Sequence, residues 1–386
     1  MTHRIFPLRL KSTGQKARLH GSFALATACL MCALLCFVPA ACGQVAPINP
    51  PPVWGQVPSG TGSCSIGKSC ADLAPAMIES ALGASPLEEN LRRLADLAGD
   101  GAAGPAQAKR VAGWAVDAMR AAAADEPHAE NFRVPAGQGD GNASGPPVDL
   151  ENVVAEIRGR EKPDEFVLLG AHIDSGAGGG ARDEVCNAAM MIDAERVIHA
   201  SGSIPRRSIR FVLFADGRQG MEGPRAYAHA HRLELDQMVA AVAFDSCNEP
   251  VAGFSLGGRR DVRASVREAL LPIQSLGVAA FTLDAKANRD TLDFLLEGVP
   301  TLVANEAPEA GSAQGSSGKI DIAELKRHVA IAAVTAYALA DSPERVGRRQ
   351  SRVEIDQLLK DTGLAEKLKM EGIWPQWEDG ERGRQR

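Results

Sequence analysis

Residues 152–175 read NVVAEIRGREKPDEFVLLGAHIDS, two apolar runs that are separated by a charged turn. Both runs are rich in Val, Ile, Phe and Leu and are shorter than a typical helix, so they predict two strands buried inside a sheet. The second strand ends near His172, and Asp174 follows this histidine. Ligands bind at the carboxyl ends of the strands in open α/β sheets, so this pattern also predicts a site beside His172.

Strand and helix patterns alternate along the rest of the chain. Further strands are predicted over 208–216, 238–245, 278–284 and 301–305, and helices over 73–82, 86–99, 105–125, 187–199, 224–231, 261–273, 320–340 and 354–369. This alternation predicts an α/β fold with a mostly parallel central sheet, covered by helices on both faces and by the amino-terminal helices. Asp216 and Asp245 end two of these strands, so we expect them at the same edge as His172.

The sequence pattern divides the chain into four segments. Basic residues from Arg4 to Arg18 precede an apolar run that ends in small residues, which is typical of a secretory signal over residues 1–42. A Pro-rich linker (43–72), the α/β domain (73–342) and a C-terminal helical extension (343–386) follow. We therefore expect export to the periplasm or envelope. Lipidation of Cys42 and simple cleavage are both open, and a retained membrane anchor is the alternative to cleavage.

The overall charge restricts the kinds of partner. The net charge of −6 and the pI near 5.8 exclude a strongly basic surface, so we expect no nucleic-acid ligand. A membrane contact is expected only through a lipid on Cys42. A peptide or protein ligand is compatible with this composition.

Three stretches carry a family resemblance. Residues 152–175, residues 204–228 (IPRRSIRFVLFADGRQGMEGPRAYA) and the strand end Phe244-Asp245 resemble the co-catalytic zinc aminopeptidases. This is the family of bacterial leucyl aminopeptidases and glutamate carboxypeptidase-like peptidases, and the resemblance implies a zinc exopeptidase-like fold. The matching positions are His172 as a metal ligand, Asp174 as the residue that orients it, Asp183 as the bridging carboxylate and Asp245 as a ligand of the other metal.

The family's remaining site residues are absent. Where the family has Gly-Glu-Glu-Gln-Gly, this chain reads DGRQG from Asp216 to Gly220. Gly217 stands at the position of the general base, and Arg218 stands at a ligand position, where a permanently charged guanidinium repels zinc. Gly311 is nearest to the position of the last ligand histidine. We therefore expect a degraded metal site, with zinc at reduced stoichiometry or absent. Arg218 is a candidate to fill the place of the metal by pairing with the surviving carboxylates.

The cysteines suggest crosslinks. Cys186 and Cys247 follow Asp183 and Asp245 closely, so in an oxidising compartment they could form a disulfide across the vacated site. Two buried thiols, or soft metal ligands acting with His172, are the alternatives. Cys64 and Cys70 could close a small loop, the alternative being two free thiols. His328 and the pair His229 and His231 are predicted to be surface residues.

Three functions remain open from the sequence. The leading one is a catalytically impaired or inactive peptidase-like domain that serves as a binding or structural protein of the envelope. The second is an active metallo-exopeptidase in which Asp216, Glu184 or Glu222 replaces the missing groups. The third is a hydrolase that uses a single metal ion on His172 and the surviving carboxylates. Losing the base, a carboxylate ligand and a histidine ligand together favours the first.

Overall fold

The computed structural model describes residues 69–99, 104–134, 147–173, 181–215, 222–244, 247, 249–287, 290–306 and 320–385, with backbone only for residues 181–184. The predicted signal peptide lies outside the described residues, as does the predicted linker apart from residues 69–72. Within the described ranges, no helix is both long and apolar enough to cross a bilayer.

Eight strands form one sheet in the described part of the chain. They are β1 (Asp125–Val134), β2 (Val148–Ile157), β3 (Lys162–His172), β4 (Arg207–Phe214), β5 (Met238–Ala243), β6 (Val251–Ser255), β7 (Ala280–Thr282) and β8 (Thr301–Glu306). Their order across the sheet is β1-β2-β4-β3-β5-β8-β6-β7. The central strands β4, β3, β5 and β8 are mutually parallel, β7 is parallel to β6, and the remaining pairs are antiparallel. The prediction of a mostly parallel sheet is confirmed.

The central strands are buried on both faces, as their apolar runs require. Every residue of β5 is buried, and so is β3 from Phe166 to His172. Gly170 of β3 leaves room for the ring of Phe214 on β4, from which a Cβ at this position would lie only 2.6 Å. These tightly packed strands form the rigid support on which the site residues stand.

Helices cover both faces of the sheet. They are α1 (Cys70–Leu82), α2 (Leu87–Ala98), α3 (Pro105–Ala121), α4 (Ala181–Ala200), α5 (Glu222–Ala230), α6 (Arg263–Ala269), α7 (Leu292–Leu296), α8 (Ile322–Asp341), α9 (Arg352–Asp361), α10 (Leu364–Met370) and α11 (Trp374–Glu378). A 3-10 helix (Leu271–Leu276) follows α6. Helices α1 to α4 and α8 share the core on one face. Helices α5 and α7 pack on the other face, so the two-sided cover is confirmed.

The C-terminal extension packs against the domain instead of extending from it. Helices α9, α10 and α11 share a third apolar cluster with α7, and Trp377 of α11 is 2% exposed. The sequence predicted a single helix over 354–369, which is wrong. Gly363 has a left-handed backbone (φ 70°) and separates α9 from α10. Glycine adopts this conformation without steric cost, so it ends a helix readily.

Strand β1 was not predicted, because its sequence DEPHAENFRV is mostly polar and it lies at the edge of the sheet. His231 binds a side chain of this strand. Its Nε2 lies 2.9 Å from Glu130 Oε2 of β1, and its Nδ1 lies 3.0 Å from Glu234 Oε1. Burial opposes protonation of His231, but its hydrogen bonds to Glu130 and Glu234 outweigh burial and raise the pKa of the imidazole. His231 is therefore a partly buried clamp and not the surface residue that was predicted.

Candidate functional site

His172 ends the central strand β3 at the carboxyl edge of the sheet. It pairs in register with Phe214, the last residue of β4, and it is 8% exposed. Its Nδ1 lies 3.6 Å from Asp290 Oδ2, which is within ion-pair distance but too long for a hydrogen bond. The predicted site therefore has a buried imidazole at its base, with a carboxylate beside one ring nitrogen.

Asp290 is a site residue that the sequence analysis missed. It lies just before α7, is 2% exposed, and its Oδ2 makes no hydrogen bond with a described residue. A buried carboxylate is costly unless a partner compensates it, and the His172 imidazole lies within ion-pair distance of Asp290. A carboxylate at Nδ1 favours the proton on that nitrogen and turns Nε2 into the acceptor or metal-binding atom. The acidic residue at the start of a buried run, DTLDFLLEGV, was the only sequence signal.

The other predicted site residues follow strands that end at this same edge. The strands β4, β3 and β5 are adjacent and parallel, so their carboxyl ends lie side by side. Asp183 belongs to α4, of which the structure describes only the backbone at that residue. The remaining predicted positions lie outside the described residues: Asp174, Asp216, Gly217, Arg218, Asp245 and Gly311.

A disulfide joins Cys186 of α4 to Cys247, which follows β5. The two Cα atoms are 6.2 Å apart, and the residues are 0% and 3% exposed. The bond connects the first turns of α4 with the segment that follows β5, so it crosslinks the two segments that carry Asp183 and Asp245. The sulfurs are consequently neither free thiols nor thiolate ligands in this structure. Cys70 forms no disulfide with a described cysteine, and Cys64 lies outside the described residues.

Side chains of α8 contact the segment that follows β5, the segment that carries Cys247. His328 of α8 is fully buried, which shows that its predicted surface position is wrong. Its Nε2 donates to the carbonyl oxygen of Glu249 (2.9 Å), two residues after Cys247, and its ring lies 6.2 Å from that of Phe244. Glu324 lies 3.6 Å from the same nitrogen, and burial raises the pKa of its carboxyl. The segment after β5 is thus fixed at Cys247 by a covalent bond and at Glu249 by a hydrogen bond.

Comparison with known proteins assigns the family. Residues 152–336 match the model of peptidase family M28. Residues 152–336 therefore belong to this family. The resemblance to co-catalytic zinc peptidases is therefore confirmed at the level of the family, and residues 343–386 lie beyond the matched region.

Individual relatives show the same relationship. Carboxypeptidase Q of Rattus norvegicus is 28% identical over 209 residues, which cover 53% of this chain and 44% of the relative. The chain thus spans less than half of the length of this curated relative. A peptidase M28 precursor from Shewanella amazonensis has a TM-score of 0.64 at 18% identity, covering 73% of this chain and 99% of the other. A zinc aminopeptidase from Bacillus subtilis has a TM-score of 0.54 at 13% identity, covering 72% and 99%. These structural likenesses show the fold.

The described side chains do not by themselves form a site for a pair of zinc ions. The sequence analysis predicts that three of the family's five ligand positions keep a donor (His172, Asp183 and Asp245) and that two hold Arg218 and Gly311, and this stays a prediction. Among the described side chains, no three His, Cys, Asp or Glu residues converge on a point that could hold a metal. The disulfide also removes both neighbouring sulfurs from the set of ligands. A tetrahedral zinc site needs three protein ligands and a water or substrate atom, so His172 would hold an ion only together with ligands outside the described side chains.

Proposed function

We propose that this chain is an exported M28-type domain that binds a peptide or protein in the envelope and hydrolyses it poorly or not at all. The observation that carries the proposal is the pair Gly217 and Arg218 at the family's base and ligand positions. General base catalysis contributes roughly 10²–10⁴-fold, and a metal-activated water contributes a further large factor. Both contributions depend on groups that Gly217 and Arg218 cannot supply.

The disulfide supports the same proposal. In the family a metal ion that binds both the bridging aspartate and the carboxylate ligand connects the segments that carry them. Here a covalent bond between Cys186 and Cys247 connects the corresponding segments. The disulfide provides a connection between these segments that does not depend on a metal ion, which suits a binding surface. Arg218 would add a charge that pairs with Asp183 and Asp245.

A second candidate is a hydrolase with one metal ion, which the contact between His172 and Asp290 favours. A carboxylate beside a ligand histidine fixes the ring and raises its basicity. His172, Asp183 and Asp245 would then hold the ion. An active exopeptidase with substituted groups is also compatible with the family. One of its suggested substitutes, Glu222, lies 3.4 Å from Arg225 of the same helix and is therefore already partnered.

The zinc content of the purified chain tests the proposal. The protein is equilibrated with excess zinc, passed through gel filtration and assayed for metal and for aminopeptidase activity on leucine p-nitroanilide. We expect no zinc and no activity above that of His172→Ala, the matched control. One ion that His172→Ala loses would support the single-metal hydrolase. Two ions with activity would overturn the proposal in favour of an active aminopeptidase.

A gain-of-function variant sharpens this test. The double variant Gly217→Glu and Arg218→Glu restores the family's base and ligand residues while leaving the other residues unchanged. If Arg218 replaces the metal, Arg218→Glu alone increases zinc binding, whereas Arg218→Gln, which removes the charge without adding a ligand, increases it less. Unchanged stability and no zinc in both variants would contradict the proposed ion pair.

A further inference from the structure

The C-terminal extension lies beyond the M28 match, yet its last residues are buried against the domain. Arg382 is 5% exposed and forms a two-point contact with Asp293 of α7: Nε to Oδ1 at 2.7 Å and Nη2 to Oδ2 at 2.8 Å. Asp293 is 3% exposed. Paired, planar contacts of this kind fix the geometry of both groups, and each charge depends on the other inside the protein.

Further contacts fix the same tail on the same helix. The backbone N–H of Arg384 donates to the carbonyl of Leu296, at the end of α7, over 2.9 Å. Gly383 passes so close that a Cβ would lie 2.8 Å from the Leu296 carbonyl oxygen and 2.7 Å from the Trp377 ring. The guanidinium of Arg352 stacks on Trp377, 3.8 Å from the ring centroid. The tail therefore contacts α7 at Asp293 and at Leu296, its last residue.

Asp290, the carboxylate beside His172, lies two residues before α7. Asp290 and Asp293 are one helical turn apart in the sequence, and α7 has only five residues. Such a short helix has little stability of its own, so its position depends on what packs against it. Arg382 contacts one acidic residue of this segment while the other faces His172 at 3.6 Å. A shift of α7 would move Asp290 relative to the imidazole.

Arg382 also lies near the start of α5, the helix that follows the segment containing Gly217 and Arg218. Burial opposes the charge of Arg382, but the carboxylates of Asp293 and, more weakly, Glu222 outweigh burial and raise the pKa of the guanidinium. Glu222 is the first residue of α5. A single buried cation therefore interacts with carboxylates near the starts of two helices, Glu222 of α5 and Asp293 of α7.

We propose that the C-terminal extension is part of the candidate site, with Arg382 as a positioning residue that holds Asp290 against His172 through α7. The proposal rests on His172 being a site residue, as the proposed function has it. The positioning role of Arg382 requires neither bound zinc nor turnover. It can therefore be refuted while the proposed function stands, and the proposed function can be refuted while the positioning role stands. It also explains why residues beyond the family match are buried so thoroughly at this place.

The test compares Arg382→Met with Arg382→Lys in the full chain, labelled with 15N-histidine. The imidazole 15N shifts report which ring nitrogen of His172 carries the proton, and His172→Gln assigns the signals. We expect one dominant tautomer in the wild type, with the proton on Nδ1. In Arg382→Met the signals should shift toward the averaged values of an unconstrained imidazole, and Arg382→Lys should restore part of the wild-type shifts.

Arg207→Met is the matched control. Arg207 is also fully buried and also pairs with a carboxylate, that of Glu165. It lies at the amino end of β4, however, whereas His172 lies at the carboxyl end of the parallel strand β3. We expect this variant to lower the melting temperature without changing the His172 signals. Unchanged His172 signals in Arg382→Met, or equal changes in both variants, would overturn the proposal. Should Arg382→Met not fold, Gly383→Ala displaces the tail more gently and is read by the same criterion.

Discussion

Removal of the crosslink between Cys186 and Cys247 should destabilise the chain strongly. The bond closes a loop with a sequence separation of 61 residues, which contains β4, α5 and β5. For a loop of this length, restricting the unfolded chain contributes about 4 kcal/mol to the free energy of unfolding. The double variant Cys186→Ala and Cys247→Ala should lose this amount and slightly more, because two buried sulfurs are also removed.

Urea unfolding, followed by tryptophan fluorescence, measures this loss. Wild-type protein in reductant should approach the double variant, since both lack the crosslink but only the variant lacks the sulfur atoms. Cys70→Ala is the matched control: Cys70 has no disulfide with a described cysteine, so its unfolding midpoint should stay close to that of the wild type. A difference below about 1 kcal/mol between oxidised and reduced wild type would refute the loop-entropy reasoning. Mass spectrometry that finds the thiols of Cys186 and Cys247 free in the unreduced protein would refute the crosslink itself.

Three further perturbations test other parts of the structure. His231→Gln should destabilise the chain most between about pH 5 and 6.5 and less as the pH rises, because a raised pKa gives stability that is lost above the folded value; equal losses at pH 6 and pH 9 in urea unfolding would contradict this. Asp293→Ala leaves the Arg382 cation buried without its partner and should lower the free energy of unfolding by about 3–5 kcal/mol, whereas Asp293→Ala with Arg382→Met should lower it less. A double-mutant cycle measures the coupling between the two residues, and additive losses would exclude such coupling. Burial raises the pKa of Glu195 well above 4.5, so the folded chain keeps this carboxyl neutral and loses stability as the pH rises above 4.5. Glu195→Gln should therefore gain stability over the wild type from pH 5 to 8, and a constant difference would contradict that reasoning.

The sequence was a good guide to the central strands and a poor one to the periphery. The apolar runs of β3, β4 and β5 predict burial on both faces, because no other environment accommodates such runs. Strand β1 escaped prediction because an edge strand needs few apolar residues. The break at Gly363 was missed because the apolar spacing continues through it, although the backbone does not.

The site could be predicted only in part, because sequence patterns are local. His172 stands at a strand end that the local pattern reveals, so its position at the edge of the sheet could be predicted. Asp290 reaches it from a distant part of the sequence, and no local pattern connects the two residues. His328 was misjudged because helical spacing does not show that the carbonyl of Glu249 lies against it. Contacts between distant segments are therefore what the sequence left unresolved.

The two outer strands of the sheet, β1 and β7, determine whether another molecule can bind by adding a strand. β7 has only three residues, and β1 carries acidic, basic and histidine side chains along its ten residues, with an irregular register near Asp125. Short or charged edge strands are poor templates for an incoming strand. Edge-to-edge aggregation is thereby discouraged at both ends of the sheet. A peptide that binds this domain by adding a strand would find no suitable edge at β1 or β7, so recognition falls to side chains and helix ends.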